Sequence, residues 1–197
     1  MTKLHVQNQT DRPDRIQFER LMAQYRARVK EASYLWLGQP TISMETVVQN
    51  RIEKPTILVI EDNVDDWFLI RFGLLRQFKD VECVWHSVGS QVLPFLEQCN
   101  TSEKSLPRFI LLDLYLPSAD AGLHILQTIK AHPLYQPIPV VVFSHSADPN
   151  DIAQVFVYSP DAYVIKPTQQ NEWLTIFSEF EPYWTKSELG RLPTSHD

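Results

Sequence analysis

Residues 106–117 read LPRFILLDLYLP: the apolar run Phe109 to Leu112 leads straight into Asp113, and a proline follows four residues later. A short apolar run without polar alternation suits a strand buried on both faces of a sheet. A carboxylate at its carboxyl end raises a different question, because that end of an open parallel α/β sheet is where ligands sit. One acid settles nothing, so the flanking segments must supply its neighbours.

From Pro55 onward, strand-like and helix-like segments alternate. TILVIE (56–61), VECVWH (81–86), FILLD (109–113), IPVVVFS (138–144) and DAYVIKP (161–167) have the β-branched, apolar character of strands. Between them, VDDWFLIRFGLLRQF (64–78), SQVLPFLEQC (90–99), AGLHILQTIKAH (121–132) and DPNDIAQVFVY (148–158) carry helical spacing, and QQNEWLTIFSEF (169–180) predicts a final helix. Pro94 must sit in the first turn of its helix or kink it, and Pro149 suits a helix start. Five β–α units with continuous apolar strands imply a doubly wound, five-stranded parallel sheet with helices on both faces.

The chain has 197 residues, 44% of them hydrophobic, enough for a full core. No apolar stretch approaches the roughly 20 residues of a membrane span, and the opening MTKLHVQNQTDRPDR has no apolar signal region. The expectation is a cytoplasmic protein in which Cys83 and Cys99 are thiols rather than a disulfide. The net charge of −6 is split unevenly. Residues 1–54 hold nine Lys/Arg against six Asp/Glu, and residues 55–197 hold nine against eighteen. The acidic part is a poor match for the phosphates of nucleic acid.

That division marks two expected parts: an N-terminal helical extension and linker over 1–54, and an α/β domain with a short C-terminal tail over 55–197. Phe18, Met22, Tyr25, Val29, Ala32 and Trp36 follow one another at spacings of four and three, one face of a helix, with arginines over much of the remainder. Such a helix packs on its own domain, pairs with a second copy or docks a partner, or else contacts nucleic acid or a membrane.

The strand ends carry the chemistry. The first ends in Glu61-Asp62, the third in Asp113, the fourth in Ser144 and the fifth near Lys166, which Pro167 follows. Neighbouring carboxylates repel one another unless a cation lies among them. A hard divalent ion with oxygen ligands relieves that repulsion, and Mg²⁺ suits one or two carboxylates plus phosphate oxygens. A carboxylate beside Mg²⁺ can take up a phosphoryl group; a lysine can neutralise the transferred oxygens and a serine hydroxyl can donate to one. His145 reads as a loop residue, and His86, His124 and His132 show no partner pattern.

ILVIEDN, ILLDLYLP, VVVFSHS and DAYVIKP, in this order and spacing over roughly 55–182, resemble the successive signatures of the response-regulator receiver domain family. The resemblance implies the flavodoxin-like strand order 2-1-3-4-5. It implies Asp113 as phospho-acceptor, with Glu61, Asp62, Asp113 and the backbone carbonyl of Tyr115 around Mg²⁺. Ser144 would be the switching hydroxyl, Tyr163 the aromatic rotamer switch, and Lys166 the partner of the phosphoryl group. Pro167 follows at a bond that is often cis in the family. The chain departs from the family pattern in three places: a longer LPSADAG loop before Gly122, His145 where a small residue is common, and Ser159-Pro160 before the fifth strand. These bear on the kinetics of phosphorylation rather than on its chemistry.

The segment after Glu181 is too short for a DNA-binding or enzyme module, so the chain is similar to stand-alone receivers that serve hybrid or phytochrome-type histidine kinases. Trp184 and Leu189 are expected to fold back onto the body or to contact another subunit. The implied partners are a histidine kinase or a histidine phosphotransfer protein. A second copy could meet the chain through the face of the fourth helix, fifth strand and fifth helix, or through the N-terminal helix. No membrane partner is expected, and no catalytic turnover beyond weak self-phosphorylation and self-dephosphorylation. The alternative is a receiver-shaped scaffold, not phosphorylated, that acts through its N-terminal helix. A phosphatase is disfavoured by Tyr115, where an aspartate-based phosphatase generally needs a second acid. Flavin or nucleotide binding is disfavoured because no glycine-rich loop follows the first strand.

Overall fold

A computed structural model describes residues 54–102, 105–169 and 171–189, together with Ala23. The chain falls into two units, 1–51 and 52–197, and the second holds the sheet. The expected N-terminal helix lies, apart from Ala23, outside the described residues.

The apolar runs form one parallel sheet. Its strands are β1 (Thr56–Ile60), β2 (Glu82–His86), β3 (Phe109–Leu112), β4 (Val140–Ser144) and β5 (Ala162–Ile165), in the order β2-β1-β3-β4-β5. This is the flavodoxin-like order the sequence implied. Successive side chains of a strand point to opposite faces, and here both faces are covered. Leu58, Ile60, Ile110, Leu112, Val140 and Val142 enter one core; Ile57, Val59, Phe109, Leu111, Val141 and Phe143 enter the other. Central strands that must be apolar on both sides therefore show no alternation in the sequence.

Three of the helices start at a capping side chain. Asn63 Oδ1 accepts from the Asp65 and Asp66 amides and opens α1 (Val64–Gln77), which has acids in its first turn and Arg76 in its last, as the helix dipole favours. α2 (Val92–Thr101) follows a short 3₁₀ turn and takes Pro94 in its first turn. Ser118 caps α3 (Ala119–Ala131), which begins two residues earlier than the sequence predicts. Asp148 caps α4 (Pro149–Phe156), with Pro149 at its first position.

The final helix departs from expectation. Residues 172–174 and 176–180 form 3₁₀ turns, and the α-helix α5 comes later, at Glu181–Leu189. Thr175 Oγ1 donates to the Glu172 carbonyl at 3.0 Å and Ser178 Oγ to the Thr175 carbonyl at 2.7 Å. Both bonds reach back three residues and favour the tighter turn. Trp173, Phe177 and Phe180, four and three positions apart, nevertheless all enter the core beside α1. Phe177 presses on α1 so closely that a Cβ at Gly73 would lie 2.0 Å from its ring. Trp184 folds back as expected, stacking on Phe78 with ring centroids 4.7 Å apart.

Among the described residues the cis peptide bond is Leu116–Pro117, in the loop after Asp113, and not the bond before Pro167.

Candidate functional site

The strand register sets the site. Ile60 pairs with both His86 and Leu112, and Ser144 with Ile165. The residues just beyond these pairs, Glu61, Asp113 and Lys166, therefore emerge on the same rim. Lys166 is 1% exposed, and its ammonium donates to Glu61 Oε2 at 2.6 Å and to Asp113 Oδ2 at 2.9 Å. Oxygens of Glu61, Asp62 and Asp113 lie within 4.8 Å of one another, the first and third residues buried and Asp62 exposed. These three carboxylates could hold one cation. Three charges of one sign against one ammonium is the donor set of an oxygen-loving divalent ion.

Each acid is fixed locally. Glu61 Oε1 accepts the Asn63 amide at 3.1 Å, and its backbone carbonyl accepts the Trp85 indole N–H at 2.7 Å. Asp113 Oδ1 accepts the Tyr115 amide at 3.3 Å. Burial, set against the pull of Lys166 and reinforced by the charge of Asp113, pushes the Glu61 carboxyl up to about 7. Burial alone would lower the Lys166 ammonium, but Glu61 and Asp113 outweigh it and hold it above its ordinary value.

The predicted switch residues meet beyond β4. Ser144 is fully buried and its hydroxyl accepts the Ser146 amide at 3.4 Å. The half-buried Tyr163 donates its hydroxyl to the Ser146 carbonyl at 2.8 Å. Tyr115 is exposed; its hydroxyl donates to Asp151 at 2.7 Å, and Ser146 Oγ donates to the same carboxylate. Asp113, Tyr115, Ser144, His145 and Ser146 line an open recess of about 360 Å³, room for a phosphoryl group beside the acid.

Gly122 explains the loop between Asp113 and α3. A Cβ there would lie 2.0 Å from the Leu114 carbonyl oxygen. Only glycine lets the first turn of α3 approach the chain that carries Tyr115.

Two residues at the site were not predicted. Asp66, in the first turn of α1, brings Oδ2 to 3.0 Å from Lys166 Nζ and 2.9 Å from His145 Nε2. His145, expected to be a plain loop residue, is thus paired with an acid 79 positions away in the chain. An acid four residues after Asp62, at a helix start, looks like an ordinary first-turn carboxylate. The available signal was its place one turn above the carboxyl end of β1.

A five-stranded parallel sheet in this order, with an acid rim and a buried lysine, defines a receiver-type domain. A family model described as the response regulator receiver domain matches residues 57–178, and the chain belongs to that family, whose members are signalling domains that bind Mg²⁺ or Mn²⁺ at an acidic site. It is 30% identical over 132 residues to the response regulator Rcp1 of Synechocystis sp., covering 66% of this chain and 89% of that protein. It is 32% identical over 128 residues to the probable methanogenesis regulatory protein FilR2 of Methanothrix harundinacea, covering 65% and 82%. Among solved structures, the phosphorylated cyanobacterial phytochrome response regulator RcpA matches with a TM-score of 0.60 at 31% identity, over 68% of this chain and 95% of that one. The Mn²⁺-bound form of Rcp1 matches with a TM-score of 0.58 at 29% identity, over 66% and 94%.

Proposed function

We propose that this response regulator accepts a phosphoryl group on Asp113, in a Mg²⁺-dependent reaction, from the phosphohistidine of a histidine kinase or histidine phosphotransfer protein. The observation that supports it most is the buried Lys166 ammonium, 2.9 Å from Asp113 Oδ2, beside acids whose oxygens converge within 4.8 Å. Glu61, Asp62, Asp113 and the Tyr115 carbonyl would hold the metal, which supplies positive charge to the transferred oxygens when bound. An Asp113 oxygen bonds to phosphorus as the N–P bond of the donor breaks, the electron pair staying on the donor's imidazole. Lys166 neutralises a phosphoryl oxygen, and the Ser144 hydroxyl donates to another. Slow hydrolysis of the acyl phosphate resets the protein.

Ser144 and Tyr163 carry the switch. The Tyr163 hydroxyl already bonds the loop after Ser144, so a shift of Ser144 toward a phosphoryl oxygen disturbs β5 and α4. Phe156, Val157 and Ile165 expose apolar surface on that side of the domain, which suits a surface read by a second copy or a partner. The likeness to Rcp1 and RcpA favours a phytochrome-type kinase as donor. Cys83 and Cys99 remain thiols, in keeping with a cytoplasmic setting, and among the described residues no helix is long and apolar enough to cross a membrane.

Intact-mass measurement with Mg²⁺ and acetyl phosphate tests this reading. The expected result is a gain of one phosphoryl group, absent in Asp113→Asn and in EDTA. No gain at any Mg²⁺ concentration favours the scaffold, and rapid continuous phosphate release favours an enzyme.

A further inference from the structure

An ammonium has three N–H donors, and three carboxylate oxygens stand around Lys166 Nζ: Glu61 Oε2 at 2.6 Å, Asp113 Oδ2 at 2.9 Å and Asp66 Oδ2 at 3.0 Å. Two of these acids have roles in the proposed chemistry. Asp66 has none, and it is not among the acids grouped at the candidate metal position.

Its position is unusual for an acid in the first turn of a helix. Such acids serve the helix dipole from the surface, as the exposed Asp65 does, and Asn63 already supplies the cap. Asp66 instead is only 8% exposed, and a carboxylate is kept that far from water only when paired. Its Oδ2 faces both Lys166 Nζ and, at 2.9 Å, His145 Nε2. His145 lines the recess beside Asp113. A continuous path, His145 to Asp66 to Lys166 to Asp113, therefore joins the mouth of the recess to the acceptor.

We propose that Asp66 is a positioning residue for phosphoryl transfer, an inference that rests on the reading of Asp113 as acceptor. With Glu61 it engages two donors of Lys166 and leaves the third aimed at Asp113, where the transferred oxygens arrive. His145 holds Asp66 in place. Lysine is a point charge on a flexible stem. Held by Glu61 alone, Lys166 is free to swing away from Asp113, and its donor no longer meets the transferred oxygens. Held at two points, it passes its third donor from Asp113 to a phosphoryl oxygen without rearranging.

The test is the rate of mass gain on the full chain at saturating Mg²⁺ and graded acetyl phosphate. Partners that orient a metal ligand change activity by about 10–100-fold, and an acid that orients a buried ammonium is taken on the same scale. Asp66→Asn is expected to lower the maximal rate about tenfold or more, with half-saturation by acetyl phosphate and melting temperature little changed. Asp66→Glu, which restores the charge, recovers most of the loss. A double-mutant cycle separates positioning from a general effect. In a Lys166→Met background, followed over longer times, Asp66→Asn changes the rate by less than about twofold, since no ammonium remains to be aimed. A rate within about twofold of native for Asp66→Asn, or an equal loss in both backgrounds, overturns the inference. If Asp66→Asn does not fold, His145→Ala carries the test: about threefold slowing with Lys166 present and none without it supports the inference, and no slowing with Lys166 present overturns it. A native chain that gains no mass on Asp113 overturns the acceptor reading instead, before any variant is compared.

Discussion

The two ends of the sheet handle charge in opposite ways. At the carboxyl end one ammonium, Lys166, stands among three carboxylates. At the amino end one carboxylate, Asp161, stands between the ammoniums of Lys130 and Lys186, each at 2.7 Å, and also accepts the Val140 amide at 2.9 Å. The shifts follow. Burial pushes Glu61 up to about 7. Asp161 is also partly buried, but the two lysines and the amide outweigh that and hold it below the usual carboxylate range. The amino end is complete in itself and serves the fold. The carboxyl end holds more negative charge than its lysine can balance, a surplus that a divalent cation can neutralise.

A pair of substitutions separates the two ends most sharply. Asp113→Asn is expected to abolish phosphoryl uptake entirely, by intact mass, while denaturation shows stability unchanged or raised by about 1 kcal/mol as one repelling charge leaves. Asp161→Ala should do the reverse, keeping uptake while lowering stability by about 2–3 kcal/mol, because it strips partners from Lys130 and the Val140 amide.

The pH response should also be opposite. Glu61 has a folded value near 7 against an ordinary 4.5, so between these values the folded state holds its proton better than the unfolded one. That contribution is complete below pH 4.5 and is lost as pH rises through 7, on the order of 3 kcal/mol without metal. Asp161 is lowered from 3.8, so its contribution is present above 3.8 and is lost as pH falls through the lowered value. Denaturation midpoints in EDTA from about pH 2 to 8 check this, and Glu61→Gln should flatten the slope between 4.5 and 7. The smallest expected effect on phosphoryl uptake is that of Gly122→Ala. Its Cβ, 2.0 Å from the Leu114 carbonyl, should shift the Tyr115 segment and weaken Mg²⁺ binding severalfold in calorimetry, with a stability loss of about 3 kcal/mol, because it is backbone that must yield.

How far such features could be read from the chain depends on where the constraint lies. The central strands β1, β3 and β4, buried on both faces, must be apolar throughout, and the half-buried edge strands β2 and β5 kept enough apolar, β-branched character to be visible too. The strand ends gave Glu61, Asp62, Asp113, Ser144 and Lys166. The strand order came from the family signatures, because nothing in a strand's own residues names its neighbour. Asp66 and His145 were missed for the same reason: their partnership links α1 to the loop after β4, and neither segment alone hints at it. The last helix was misplaced because the spacing of Trp173, Phe177 and Phe180 marks a buried face but not the pitch of the turn. Thr175 and Ser178, reaching back three residues, set that pitch. The Asp161 cluster was equally hidden, since Lys130 and Lys186 look like ordinary surface lysines until the fold brings them to one acid.

The indole of Trp85, tied at 2.7 Å to the Glu61 carbonyl, also lies face to face with Trp67, ring centroids 5.3 Å apart and planes 10° from parallel. Because emission from such a pair depends on its geometry, the domain has a native optical gauge one hydrogen bond from its acid pair. A cation or phosphoryl group that moves Glu61 should change the colour or yield of that light, giving a label-free readout of occupancy in real time.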